Sequence, residues 1–369
     1  MHIPDGYLSP QTCAVGFVIA VPTLAVAATR VKKVVKARQA PTLALLSSMC
    51  FLIMMFNVPI PDGTTAHAVG GTLVAVLLGP WAAVIAVSVA LAFQALLFGD
   101  GGILAYGVNV TNMAIVLPFV GYGIYRLIAG RSYLTSGRRV VAGAVGAYIG
   151  INAAAVLAGF ELGIQPGLFH TASGVPLYSP YHLSQAIPAM ALAHLTVAGA
   201  AEAILTGGVI AYLQRANLGL LKVNNFGIPG PDQAGTAPAA KRLRPITVAL
   251  AAIVVMVVLT PIGLLAPGGA FGEDAPQQLD LAKLHLSAIP SGLNKYNGIW
   301  NHAIFRDYDF TGDKHPALGY ILSAVVGILV IGLVVFGIAK LVQALAARRG
   351  GDAPTAGGGH GDRGGVATP

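Results

Sequence analysis

Apolar stretches long enough to cross a lipid bilayer recur along the chain and are separated by more polar segments. They lie at residues 12–29, 42–60, 81–98, 105–128, 140–160, 186–213, 246–265 and 318–341. A membrane-spanning helix needs about 20 mainly apolar residues, because the hydrocarbon core of a bilayer is about 30 Å thick. The pattern therefore predicts an all-α integral membrane protein.

The apolar segment 70–98 fits two descriptions. It forms either one long tilted helix, or a half-helix that breaks at Gly79-Pro80 and is followed by a full span. A single helix would place the basic residues from Arg126 to Arg139 outside the cell, whereas the broken form keeps them inside. We therefore expect the broken form. It gives about nine helical segments, seven in a first module and two in a second.

The composition is that of a membrane protein. Of the residues, 55% are hydrophobic and 10% charged, and the mean hydropathy is +0.73. The net charge of +8 does not indicate a nucleic-acid partner, because most of the 22 Lys and Arg residues lie on alternate loops. Basic loops face the cytoplasm. We expect a multi-pass plasma-membrane protein with its amino terminus outside and its carboxyl terminus in the cytoplasm, surrounded by lipid.

Two segments of biased composition divide the chain. Residues 223–244 are rich in Pro, Gly and Ala and are predicted to link a membrane core, residues 1–222, to a two-span module, residues 245–348. The second module contains a long outer loop at 267–316. Residues 349–369 have low complexity and are predicted to be disordered.

The first two residues form a chelating pattern. The α-amine of Met1, the backbone nitrogen of His2 and the Nδ1 atom of His2 can lie in one plane around a metal ion. Ni²⁺ and Cu²⁺ accept square-planar nitrogen ligands, and Co²⁺ accepts them less naturally. Taken alone, a Met-His start is more often a frayed tail. The membrane context favours the interpretation that this start binds a metal ion.

A second histidine lies on the same side of the predicted topology. His67 follows a short outer loop, and the string Ile-Pro-Asp-Gly occurs both at 3–6 and at 60–63. Pro and Gly at these positions suit tight turns, which would fold each neighbouring histidine back toward the bundle. We expect His67 to supply the fourth nitrogen. An ion bound by one deprotonated amide and neutral donors carries about +1, which lowers the cost of partial burial.

Other ionisable residues are weaker candidates. His194 and Glu202 lie in one predicted span, where an interhelical hydrogen bond or a partner contact is as expected as ion handling. Two histidines are expected on a loop surface, with an entry path as the alternative: His170 and His182. The remaining histidines are expected on loop or tail surfaces, with a minor role in collecting metal: His285, His302, His315 and His360. Cys13 and Cys50 lie within spans and offer no disulfide framework.

Three blocks of the first module carry a family resemblance. MHIPDGYLSP at 1–10, TTAHAVGGTLVAVLLGPWAAV at 64–84 and ALLFGDGGILAYGVNVTNMAIVLPFVGYGIY at 95–125 resemble the CbiM/NikM family. These are the nickel- and cobalt-specific S components of energy-coupling-factor (ECF) transporters. GLLAPGGAFGEDAP and DYDFTGDKHPALGYILSAVVG resemble the small NikN or PDGLE-type subunit, although the literal Pro-Asp-Gly-Leu-Glu string is absent.

The resemblance implies a site and partners. It implies that the metal is held by the Met1 amine, the His2 amide and imidazole, and His67. It also implies a coupling transmembrane subunit (CbiQ/NikQ-like) and cytoplasmic ATPases (CbiO/NikO-like). The chain has no G-x-x-x-x-G-K-[ST] phosphate loop and no H-E-x-x-H motif, so we expect a transporter subunit and no enzyme.

Three functions remain open at this point. The leading one is metal capture for an ATP-driven importer, with Ni²⁺ or Co²⁺ as transported ligand and no cofactor. A self-sufficient metal permease or channel would need more buried acidic residues than Glu202, Glu161 and Asp100. A membrane metallohydrolase would need a general base beside an open metal position. A planar four-nitrogen site favours nickel over cobalt without excluding cobalt.

Overall fold

The computed structural model describes residues 1–34, 39–60, 64–225, 228, 245–265, 275–310 and 314–351. An irregular segment, residues 1–9, precedes the first helix, and we call it the N-terminal strap. The helices up to the predicted linker are α1 (Pro10–Val34), α2 (Ala40–Met54), α3 (Gly71–Leu78), α4 (Pro80–Phe93), α5 (Tyr106–Asn109), α6 (Leu117–Ala129), α7 (Gly137–Gly163), α8 (Gln165–Leu168), α9 (Leu183–Ala193), α10 (Gly199–Ala216) and α11 (Leu218–Lys222). π-helical turns continue or join several of them: Gln94–Phe98, Val110–Val116 and His194–Ala198.

The second module contributes two further membrane helices and a folded loop between them. Its helices are α12 (Pro245–Leu259), α13 (Ser291–Tyr296) and α14 (Pro316–Gly351), with short 3₁₀ turns at Thr260–Leu265, Pro276–Gln278 and Arg306–Tyr308. Helix α14 extends three residues into the segment that was predicted as a tail. Most of the predicted linker and residues 352–369 lie outside the described residues.

The prediction of an all-α membrane protein is confirmed. Within the described residues, six helices are long and apolar enough to span a membrane, and two shorter apolar helices, Ala40–Met54 and Leu250–Leu265, accompany them. The predicted span 42–60 was too long. Helix α2 ends at Met54, and Val58–Ile60 forms a strand, β1, antiparallel to β2 (Thr64–Ala66). Pro59 lacks an amide hydrogen and cannot continue a helix, which explains the early end.

The predicted break in segment 70–98 is present. Gly79 separates α3 from α4 with φ 93° and ψ 156°, a backbone conformation that only glycine adopts readily. Every residue of α3 is buried. This half-helix therefore lies inside the bundle, and the chain reverses at Gly79.

Close helix packing builds the bundle. Helix α7 packs against α6, α9 and α10, and small residues allow the approach. A Cβ atom at Gly150 would lie 2.6 Å from the backbone oxygen of Leu117 in α6. The second module docks on α2 through α14, where the Ser48 hydroxyl donates to the Ile328 carbonyl at 3.0 Å. The two modules thus form one packed structure in the described residues.

The two ends of the bundle differ in polarity. Basic residues gather at the end that contains Gly79: Arg30 lies 6.0 Å from the ring of Trp81, and buried Arg139 donates to Asn225 at 3.1 Å. The N-terminal strap lies at the other end, beside the last turns of α4. We call this the site end and the Gly79 end the opposite end.

Candidate metal centre

The N-terminal strap is fixed by side chains from distant elements. The Ile3 amide donates to Asn109 Oδ1 at 2.9 Å, and Asn109 Nδ2 donates back to the Ile3 carbonyl at 3.0 Å. The Ser9 amide donates to Gln165 Oε1 at 3.0 Å. Because termini are poorly ordered unless they are tied down, these contacts give the first residues defined positions.

Asp5 holds the turn that follows His2. Its carboxylate accepts the backbone amides of Ile103, Leu104 and Ala105 at 3.0, 2.8 and 3.1 Å. Burial raises the pKa of Asp5 above its ordinary value, and the three amide donors oppose that rise. Gly6 follows with φ 95°. The Ile-Pro-Asp-Gly string at 3–6 therefore does more than turn the chain, since its Asp5 anchors the strap. Residues 61–63 of the second copy lie outside the described residues.

The three predicted ligand residues lie together. The Met1 nitrogen is 3.2 Å from Nε2 of His67, and the rings of His2 and His67 stack with centroids 4.8 Å apart. Met1, His2 and His67 are 2%, 4% and 2% exposed. Two nitrogens at right angles around an ion at about 2.0 Å would be about 2.8 Å apart. The spacing of Met1 and His67 is therefore within a few tenths of an ångström of a shared coordination plane.

His67 is held in one orientation by its own segment. Its Nδ1 donates to the Ala68 carbonyl at 3.0 Å, which leaves Nε2 with its lone pair toward Met1. Glu202 of α10 accepts the amides of Val69 and Gly70, both at 2.8 Å. Burial, and then the nearby Met1 amine and His2, lower the pKa of His67 well below its ordinary value. A neutral imidazole is the form that binds metal.

Polar side chains that the sequence analysis did not place at the site surround the His2 ring. Nε2 of His2 lies 3.2 Å from Gln94 Oε1, and Nδ1 lies 3.3 Å from Asp100 Oδ1. Gln94 also donates to the Tyr308 hydroxyl at 3.0 Å, and that hydroxyl donates to Asp100 in a short contact. Burial raises the pKa of Asp100, while Tyr308 and the Met1 amine oppose the rise. The only sequence signal for Asp100 was its position just after a span.

The remaining candidates are not gathered at this centre as ligands. Of the three roles predicted for Glu202, the contacts seen come nearest to an interhelical hydrogen bond, because Glu202 in α10 accepts two backbone amides of the segment just before α3. His194 Nδ1 donates to the Met190 carbonyl at 2.8 Å. His182 and His285 line a separate surface cavity of about 330 Å³. Among the described residues, no three His, Cys, Asp or Glu side chains form a metal-binding group. The predicted set depends on a terminal amine and a backbone amide instead.

The fold and the site define a class. A helical membrane protein that buries a chain terminus and two imidazoles among acidic and amide side chains is suited to binding a small cation. Comparisons with known proteins identify a family of metal transport proteins. Residues 2–220 match the family model CbiM, described as "Cobalt uptake substrate-specific transmembrane region", and residues 245–344 match the PDGLE domain.

Full-length relatives carry both modules. The chain is 45% identical over 362 residues to the "Fused nickel transport protein NikMN" of Rhodobacter capsulatus, covering 95% of this chain and 100% of that protein. It is 46% identical over 343 residues to the "Probable fused nickel transport protein LarMN" of Lactiplantibacillus plantarum, covering 92% and 97%. A crystal structure titled as a truncated transition metal transporter is 60% identical with a TM-score of 0.55, covering 58% of this chain and 98% of that one.

The chain belongs to the CbiM family of nickel and cobalt transport proteins and carries a fused PDGLE domain. Both resemblances stated from the sequence are confirmed.

Proposed function

We propose that this chain is the substrate-binding component of an ATP-driven ECF importer, which captures Ni²⁺ or Co²⁺ through Met1, His2 and His67. The observation that carries the proposal is the 3.2 Å approach of the Met1 nitrogen to His67 Nε2 beneath the stacked His2 ring. Met1 and His67 are 66 positions apart in sequence, and both are nearly fully buried. An apolar bundle has little reason to bury a chain terminus unless that terminus binds something.

The surroundings suit a planar nitrogen complex. When the metal takes His2 Nδ1, His2 Nε2–H can keep its hydrogen bond to Gln94 Oε1, which fixes the tautomer and the ring orientation. The contact of Nδ1 with Asp100 is then replaced by the metal. A divalent ion with one deprotonated amide carries about +1, and the Asp100 carboxylate brings the local sum toward zero. That balance reduces the cost of burying the ion.

The transport step needs other proteins. The chain has no phosphate-binding loop of its own, so we propose that separate CbiO/NikO-like ATPases and a CbiQ/NikQ-like coupling subunit drive it. The gathering of Arg30 and Arg139 at the opposite end supports a topology with that end in the cytoplasm and the metal site outside. Both full-length relatives named above are called nickel transport proteins, which favours nickel as the cargo.

Calorimetric titration of the untagged chain tests the proposed ligand residues and the choice of metal ion. We expect tight, near-stoichiometric Ni²⁺ binding, weaker Co²⁺ binding, and a diamagnetic complex with the yellow absorption of planar four-nitrogen nickel. An octahedral, paramagnetic nickel spectrum would contradict the proposed ligand set.

Reconstitution in liposomes tests the transport role. The chain alone should bind Ni²⁺ without accumulating it, and uptake should appear when the coupling subunit, the ATPases and ATP are added. Concentrative uptake by the single chain would favour the permease alternative.

A further inference from the structure

The loop of the second module lies on the last turn of α4, next to the candidate metal centre. The Trp300 indole donates to the Leu96 carbonyl at 2.9 Å, and the Phe305 amide donates to the Leu97 carbonyl at 2.9 Å. Carbonyls at the end of a helix have no partner within that helix, so they are available to a docking segment. The loop thus attaches to the first module at the turn that begins with Gln94.

Tyr308 is the residue of this loop that reaches the polar centre. It is 4% exposed, and its ring stacks on Phe98 with centroids 5.0 Å apart. Its backbone carbonyl accepts the Ser323 hydroxyl at 2.8 Å, which ties it to α14. Tyr308 and the preceding Asp307 have φ 62° and 55°, left-handed values that residues with side chains adopt only when their surroundings hold them. Several contacts therefore fix one position for this side chain.

The hydroxyl of Tyr308 joins the two side chains that touch the His2 ring. It accepts from Gln94 Nε2 at 3.0 Å and donates to Asp100 Oδ2. Gln94 Oε1 and Asp100 Oδ1 lie 3.2 and 3.3 Å from the two ring nitrogens of His2. The second module is therefore linked to the proposed ligand His2 through one side chain at each ring nitrogen, Gln94 at Nε2 and Asp100 at Nδ1.

We propose that Tyr308 is a positioning residue for the metal centre, by which the second module fixes the Gln94 and Asp100 side chains around His2 and slows release of the ion. The inference rests on the proposed function, because it assigns a role at the same site. Asp100 is 19% exposed, and without the hydroxyl its Oδ2 atom keeps only the long contact from Gln94 Nε2 at 3.4 Å, so the carboxylate can turn toward solvent. Groups that orient a metal-bound histidine typically change metal affinity by about 10- to 100-fold.

Removing one oxygen atom tests this role in the full chain. Tyr308→Phe keeps the aromatic stacking and deletes both hydrogen bonds. We expect the dissociation constant for Ni²⁺ alone to rise about tenfold, mainly through faster release to a chelator, and the planar nickel absorption to persist. The matched control is Tyr320→Phe, because the Tyr320 ring packs against Tyr308 at 5.3 Å and loses the same atom. That variant should bind within twofold of the unaltered chain.

A double-variant cycle separates positioning from general loss of packing. If Tyr308 acts largely through the carboxylate, Tyr308→Phe should weaken binding less than threefold in an Asp100→Asn background. Equal effects in both backgrounds would contradict action through Asp100. Binding by Tyr308→Phe within twofold of the unaltered chain would overturn the inference while leaving the proposed function standing. Absence of planar nickel binding in the unaltered chain would instead remove the proposed function itself.

Discussion

The N-terminal strap and the His67 segment, residues 66–70, bring ligand atoms to one point in different ways. The strap has no secondary structure, and Asp5, Asn109 and Gln165 link it to distant parts of the bundle. The His67 segment lies between strand β2 and helix α3, and Glu202 secures the amides that begin that helix. The strap is fixed by several side-chain contacts, whereas the His67 segment adjoins secondary structure on both sides and is fixed by Glu202.

This difference predicts whether a substitution in each region lowers mainly the metal affinity or mainly the folding stability. The strap buries several side chains in the core: Met1, Ile3, Tyr7 and Leu8. Loosening the Asp5 clamp while these side chains stay packed displaces the ligand atoms without unfolding the strap, so it should weaken binding more than folding. Loosening the His67 segment leaves buried amides without partners at the start of a fully buried half-helix, which costs about 1–3 kcal/mol for each unsatisfied group. That change should lower stability more than affinity.

The largest effect is expected at the chain start. Acetylation of the amine or His2→Ala should weaken Ni²⁺ binding more than about 1000-fold, because each removes a nitrogen from the fused chelate. Calorimetry measures the binding, and circular dichroism should show unchanged helix content. The unmodified chain is the control. Undiminished binding by the acetylated chain would show that the amine is no ligand.

The next largest effect is expected from releasing the strap. Asp5→Asn removes the charge that favours three amide hydrogen bonds, and bonds to a charged group contribute about 1.5–3 kcal/mol each against about 0.5–1.5 for neutral ones. We expect roughly 30-fold weaker Ni²⁺ binding with a small change in melting temperature. Asp280→Asn is the control, because that exposed carboxylate accepts the Lys283 amide at 3.0 Å away from the site. Equal effects of the two substitutions would contradict the clamping role of Asp5.

A smaller effect on binding is expected at the His67 segment. Glu202→Gln keeps the shape and one acceptor oxygen but loses the charge, so we expect about threefold weaker Ni²⁺ binding and a melting temperature several degrees lower. Glu161→Gln is a matched control, since that carboxylate in α7 accepts Asn112 Nδ2 at 2.6 Å. Should Glu202→Gln reduce affinity as strongly as Asp5→Asn, the division between the two regions would be wrong.

The smallest expected effect is that of His67→Ala on the pH dependence of Ni²⁺ binding. Affinity should fall from pH 7.5 to 5.5 because the metal must displace protons from the amine and the amide. Burial lowers the pKa of His67 well below its ordinary value, which favours the neutral imidazole and reduces its share of the protons displaced. His67→Ala should bind more weakly, with the same slope of log Kd against pH. Calorimetry in buffers of different ionisation enthalpy measures the protons released, and a slope shallower by one proton would contradict the neutral state.

Much of the fold was predictable from sequence because the bilayer imposes a simple rule on length and polarity. That rule gave the membrane spans, and the loop charges gave the break at Gly79. It did not give the end of α2, because residues 55–60 are as apolar as the helix and differ chiefly in Asn57 and Pro59. Strand pairing with Thr64–Ala66 uses backbone groups that leave no pattern in hydropathy.

The site was predictable where its chemistry is unusual. A histidine at position 2 and a histidine after a repeated turn both carry a signal, and the structure brings them together; that they bind metal stays a prediction. Gln94 and Tyr308 carry no such signal. Tyr308 contacts Asp100 across 208 positions of sequence, and only the docking of the second module reveals the pair. Glu202 was recognised as a candidate, but its amide partners were not.

The reversal at Gly79 also sets a distance. Helix α4 places Gln94 about 22 Å from Gly79 at 1.5 Å per residue. The eight residues of α3 span about 12 Å, and residues 67–70 cover the remaining distance, so that His67 lies at the height of Gln94, where both contact His2. Under the proposed function, capture at the site end and delivery at the opposite end are separated by most of the apolar layer of a membrane, which is about 30 Å thick. An affinity measured on this chain alone describes only the capture step. Transport over the remaining distance depends on the components that move the ion.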